Sequence, residues 1–175
     1  MDKELVIYYL KREMNLTEQG TYKEFLRQLL IFLEDNKNFN NYRESINEFK
    51  EELITSNNYR IGDLYTTKWC EREIKVCKYK IQAGAKPNLL YGDPKIIMKK
   101  LKEKLKELKE TDYEEENNKQ LQKYSDLIIT KMDKYMCKNI SNYEIAKDRF
   151  VAGEIEPDNP NPMDIDCVTV KDAEE

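Results

Sequence analysis

Apolar side chains recur along this chain at steps of three and four residues, segment after segment. Over 22–35 the set is Phe25, Leu26, Leu29, Phe32 and Leu33, and over 42–55 it is Tyr42, Ile46, Phe49 and Leu53. Over 63–83 it is Cys70, Ile74, Cys77 and Ile81, flanked by Trp69, and over 112–137 it is Leu121, Tyr124, Ile128, Met132 and Tyr135. Such spacing puts each set on one face of a 3.6-residue helix. Residues 3–14 follow the same rule with Leu5, Val6, Tyr9 and Leu10, and 142–152 with Ile145, Ala146, Phe150 and Val151, Gly153 standing as the C′ residue. Thr21 with Glu24, Thr111 with Glu114 and Ser141 with Glu144 have the spacing of a capping box, and Asn41 with Glu44 is a looser version. In that motif the first side chain accepts from the backbone N–H three residues on, and the Glu reaches back, so two orphan donors are satisfied.

The punctuation agrees. Only five Gly and five Pro occur in 175 residues, too few for the many turns of an all-β fold. Breaks fall at 15–20, 36–41, 56–62 and 84–93. In the last, Gly84 and Pro87 stop one helix, then Asp93 caps the next and Pro94 takes its first position, where a missing N–H costs nothing. The nearest approach to a strand is MDIDCVTV at 163–170, which follows three prolines in acidic surroundings. The fold expected is all-α: a helical bundle or stacked helix hairpins, six to seven helices in a domain over 1–152, followed by an extended acidic tail over 153–175.

Charge and chemistry narrow the function by exclusion. The net charge is −4, but residues 153–175 hold eight acids and one lysine, so the body is slightly basic at +3. That is far short of a dedicated nucleic-acid-binding domain. No run of 18 apolar residues is present, so no membrane span is expected. The first residues, MDKELVIYYLKREMN, mix acids with bases and offer no small-residue cleavage site, so no secretory signal is expected. Four cysteines at 70, 77, 137 and 167 are too scattered for a disulfide framework, which favours a reducing, intracellular and cytoplasmic setting. Cys70 and Cys77 lie two turns apart on one helix, about 10 Å, too far to bridge. The chain contains no histidine, which removes the commonest general base and metal ligand. No phosphate-cradling glycine loop or EF-hand pattern is present. No catalytic residue, cofactor or metal site is expected, and the chain is read as a non-enzyme.

One stretch carries a candidate surface. In GDPKIIMKKLKEKLKELKE, residues 92–110, Ile97, Leu101, Leu105 and Leu108 form a thin apolar seam. Lys95, Lys99, Lys102, Lys106 and Lys109 follow the same rhythm, so five ammonium groups share one side. The seam can pack on the rest of the chain, leaving the lysines solvated, or it can enter a partner as a helix-in-groove contact. The lysines can instead bind phosphate or another anionic surface. No arginine accompanies them, so base-specific reading of nucleic acid is not expected. With twelve tyrosines available for amphipathic contacts, the function expected is protein–protein interaction, as a small adaptor or a structural subunit of a larger assembly with other protein subunits as partners. Electrostatic binding to nucleic acid or another anionic surface is the alternative.

Near the C-terminus, LQKYSDLIITKMDKYMCKNISNYEIAKDRF is similar over some thirty residues to helix hairpins of the tetratricopeptide or MIT type, through its small turn and the NYEIA with Tyr143 and Ala146 followed by Phe150. The likeness occurs once, with no 34-residue period, and assigns no family. It implies partner binding in a groove between helices.

Overall fold

The computed structural model describes residues 3–151, with side chains through Cys137 and backbone alone beyond it. The chain folds as an all-α helical bundle. Its helices are α1 (Lys3–Leu16), α2 (Thr21–Asp35), α3 (Tyr42–Ser56), α4 (Thr67–Gln82), α5 (Pro94–Lys109) and α6 (Tyr113–Val151). A short hairpin, β1 (Arg60–Ile61) and β2 (Leu64–Tyr65), stands between α3 and α4. The acidic tail lies outside the described residues.

The helical faces expected from spacing are the ones that pack. Val6, Tyr9, Leu10, Phe25, Leu26, Leu29, Leu33, Ile46, Leu121, Ile128 and Met132 form one large core drawn from α1, α2, α3 and α6. Phe25 sits at its centre, edge-on to Phe49 at 5.3 Å and tilted against Tyr124 at 5.7 Å. Pairings along α6 fix its direction. Asn57 reaches Glu114, Lys50 reaches Gln122 and Tyr42 reaches Asp133, so α6 runs antiparallel to α3. Tyr9 stacks flat on Tyr135 at 4.9 Å and ties α1 to the same helix.

A second, smaller core is separate. Ile74, Cys77 and Leu101 are buried with Trp69, Ile97, Met98 and Leu105 around them, all from α4 and α5. These two helices pack chiefly on each other as an antiparallel hairpin, each about 24 Å long. The base of the hairpin is pinned to the bundle. Thr66 caps α4 by accepting from the Trp69 N–H at 3.3 Å, and it also exchanges bonds with both backbone groups of Tyr59. Tyr65 meets Trp69 edge-on while the Arg60 guanidinium lies 4.6 Å over the Tyr65 ring and Lys104 lies 5.0 Å over it. The Asn117 amide donates to the Tyr65 carbonyl at 2.8 Å.

Cap chemistry shows where local pattern and tertiary structure part. Asn41 accepts from the Glu44 N–H and Asp93 from the Lys95 N–H, as expected. Gly84, at φ +74°, ends α4 in a Schellman motif: its N–H bonds the Ile81 carbonyl and the Ala85 N–H bonds that of Lys80. Thr21 does not cap α2. Its hydroxyl instead accepts from the Asp63 N–H at 3.0 Å, holding the β-hairpin turn against the helix start, while Glu24 turns to Arg27 and Gln28. Thr111 bonds back to the Leu108 carbonyl, and the cap of α6 passes to Asp112, whose carboxylate accepts from the Glu115 N–H. The helix start expected at Ser141 is not formed, because α6 continues unbroken through that position to Val151, about 58 Å in all. The separate helix expected over 142–152 is therefore, as far as Val151, the end of α6, and the likeness to a helix hairpin fails, since no turn interrupts 121–150.

The β-hairpin is the element that periodicity missed; two-residue strands are too short to display alternation. Gly62 opens its two-residue loop at φ +57°, and a Cβ there would lie 2.5 Å from Thr21 Cα. Gly62→Ala is therefore expected to cost about 2–4 kcal/mol, from left-handed strain plus a clash with backbone that cannot turn aside. A chemical denaturation midpoint unchanged from wild type would contradict this.

Candidate functional site

Two places gather chemistry. The first is inside the bundle. Glu13 on α1 is buried, pairs with the Lys131 ammonium of α6 and accepts from the Tyr135 hydroxyl at 2.9 Å. The Lys131 ammonium also lies 5.6 Å from the Tyr22 ring centroid. These groups spend their bonds on one another, so the cluster fastens α1 to α6 rather than presenting an open acid or base. Burial, then the bond to Glu13, pushes the Tyr135 phenol up to about 12. Burial, then the bond to Asp133, does the same for Tyr42, and burial raises Tyr59 to about 12. Tyr22 is raised as well, by burial first and by Glu13 second.

The folded state holds these phenolic protons more tightly than the unfolded chain, where tyrosine titrates near 10. Their stabilising contribution is thus complete below about pH 10 and is lost as pH rises from about 10 to 12, on the order of 1 kcal/mol per pH unit for each well-buried phenol. Thermal melts between about pH 9 and 12 are expected to show a melting temperature that starts to fall near pH 10. A flat profile would contradict the assignment.

The second place is the α4–α5 hairpin. Of the seam named from sequence, Leu101 is buried against α4 in the smaller core with Ile97 and Leu105 half-buried beside it, and Leu108 is buried outside that cluster. Most of the seam is therefore spent inside the chain, while Ile97 and Leu105 stay partly accessible. The lysine stripe lies on the side of α5 turned away from α4. Lys95, Lys99, Lys102, Lys106 and Lys109 are all exposed, and none of these side chains makes an ion pair or hydrogen bond among the described residues. Of the flanking lysines, Lys104 pairs with Glu107 at 3.5 Å. Residues 67–109 hold 13 basic and five acidic residues, so this hairpin is strongly positive on a chain that is negative overall.

Sequence reasoning missed the tip of this hairpin. Residues 85–93 were legible as a break, yet the loop is ordered by one side chain. The Asn88 carboxamide oxygen accepts from the Leu90 N–H at 2.6 Å and the Tyr91 N–H at 3.3 Å, and Asn88 and Gly92 exchange backbone bonds. The loop holds Leu89 fully exposed, Leu90 at 79% and Tyr91 at 68%. Tyr79 and Ile96 are exposed beside it on the two helices. The available signal was three apolar residues in a row between Pro87 and Gly92, where a loop ordinarily carries polar ones. Beside the tip opens a cavity of about 290 Å³, floored by Val76, Cys77, Pro94 and Ile97 and rimmed by Lys80 and Lys86.

Cys70 and Cys77 are free and buried, and burial raises both thiols, which keeps them protonated and poorly nucleophilic. Among the described residues no group of three or more Cys, Asp or Glu is placed to hold a metal, and no helix is long and apolar enough to cross a membrane. Comparison with family models, curated proteins and solved structures found no match to this chain.

Proposed function

We propose that this chain is a non-enzymatic protein–protein interaction module, a small adaptor or structural subunit of a larger intracellular assembly, and that the α4–α5 hairpin is its contact arm. The observation that carries the reading is the tip: Leu89, Leu90 and Tyr91 stand in solvent on a loop whose backbone is already fixed. An exposed apolar cluster of this kind is stabilising only when something covers it, and pre-ordering lowers the entropy cost of that event. The bundle supplies a rigid mount, and the arm's separate core lets it project without weakening the larger one.

A second reading has its own support. Five unpaired lysines on the outer side of α5 suit electrostatic binding to nucleic acid or another anionic surface. The two separate by salt and by site. The experiment is affinity capture from native extract with the full chain and with a Leu89→Ser, Leu90→Ser, Tyr91→Ser variant, followed by titration of the purified captured protein. The interaction reading predicts a saturable complex that the tip variant loses and that depends weakly on salt. Recovery that disappears with nuclease, falls steeply with salt and is abolished by Lys→Glu changes at 99, 102 and 106 would replace it with the electrostatic reading.

A further inference from the structure

The cavity beside the tip narrows the class of partner. We infer that it receives an acidic segment of a partner protein with an apolar anchor, one apolar side chain entering over Cys77 while flanking carboxylates meet Lys80 and Lys86. This inference rests on the interaction reading and adds the chemistry of what is recognised.

Three observations lead to it. The first is size and shape. At about 290 Å³ the cavity stands at the bottom of the range for whole small-molecule ligands, so it suits a single large side chain. Its floor is apolar and its concavity gives such a side chain walls on two helices. The second is charge. Lys80 and Lys86 make no ion pair among the described residues, and they outnumber the one acid of the lining, Glu73, which lies 3.7 Å from Arg72. The Lys80 ammonium lies 5.8 Å from the centroid of the Tyr91 ring, and both residues line the cavity. An apolar floor under a basic rim is complementary to an apolar residue between acids. The third is the loop. Leu89, Leu90 and Tyr91 add a convex ridge beside the concave site, so the segment can lie between them and bury both.

Nucleic acid fits less well. No arginine occurs over 73–109, and the exposed aromatic rings Tyr79 and Tyr91 stand at the tip, away from the lysine stripe along α5. A lipid surface would take the exposed Leu-Leu-Tyr ridge but would leave the cavity unfilled.

The test uses the full chain and a fluorescein-labelled synthetic peptide in which Glu residues flank a central Leu-Phe pair, read by anisotropy. Controls are the same peptide with Ser-Ser at its centre, single-stranded DNA, and phosphatidylcholine vesicles containing phosphatidylserine. The expected result is that the Leu-Phe peptide binds, that the Ser-Ser peptide is weaker by about tenfold, and that Lys80→Glu with Lys86→Glu weakens the Leu-Phe peptide by about tenfold. Both lysines are exposed, and a circular-dichroism melt confirms that this variant stays folded. Equal affinity for both peptides, no response to the lysine changes, or tighter binding to DNA or vesicles overturns the inference. Applied to the captured partner, the same lysine variant separates the two levels. A partner still bound by that variant but lost with the tip variant refutes the cavity and keeps the interaction module. Absence of any saturable protein complex refutes both.

Discussion

Phe25→Ala is expected to lower the melting temperature by on the order of 10 °C and to unfold the bundle as a unit. Phe25 has no solvent exposure and touches aromatic rings from two other helices, Phe49 of α3 and Tyr124 of α6. Truncation removes the ring's transfer energy and leaves a void that three rigid helices cannot close, about 3–5 kcal/mol together. Against a domain stability of about 5–15 kcal/mol, that is a large fraction. Leu16→Ala is the contrast. Leu16 is 72% exposed at the end of α1, and its loss should stay within about 0.5 kcal/mol. Equal effects of the two substitutions in calorimetric melts would contradict the placement of the main core.

Leu101→Ala is expected to behave differently, because Leu101 belongs to the other core. Three buried residues and their half-buried neighbours hold α4 to α5, with the Thr66, Tyr65 and Asn117 bonds at the base. Leu101 is the one of the three that α5 contributes. The loss of about 2–4 kcal/mol is large for so small a cluster, so the hairpin should open without the bundle. Hydrogen exchange should then show α4 and α5 amides losing protection by about two orders of magnitude while α1, α2 and α3 keep theirs. Uniform loss across all helices would mean that the two clusters fold as one.

Much of this architecture was readable because helices announce themselves locally. The stripes of α2, α3 and α6 are set by spacing alone, and most of the residues they named are buried, with Phe32, Leu53, Tyr124 and Tyr135 half-buried against the same core. What could not be read depended on contacts distant in sequence. Thr21 looks like a cap until Asp63, 42 residues on, claims its hydroxyl. Ser141 has the right neighbours for a helix start, yet nothing in its local pattern forbids a helix from running through it. The β-hairpin is too short for a period. The seam on α5 was correctly seen as apolar, but only the fold reveals that α4 covers it. The tip was hidden by convention: a stretch bounded by Pro87 and Gly92 reads as a connector, and connectors are seldom searched for exposed leucines.

On the proposed function, the basic hairpin and not the bundle meets the partner. Hydrogen exchange on the full chain, alone and in complex with the captured protein, addresses it directly. New protection is expected over 76–99, from the end of α4 through the Asn88 loop into α5, with α1, α2 and α3 unchanged. Protection appearing on α1, α2 or α3 while 76–99 exchanges as in the isolated chain would contradict it.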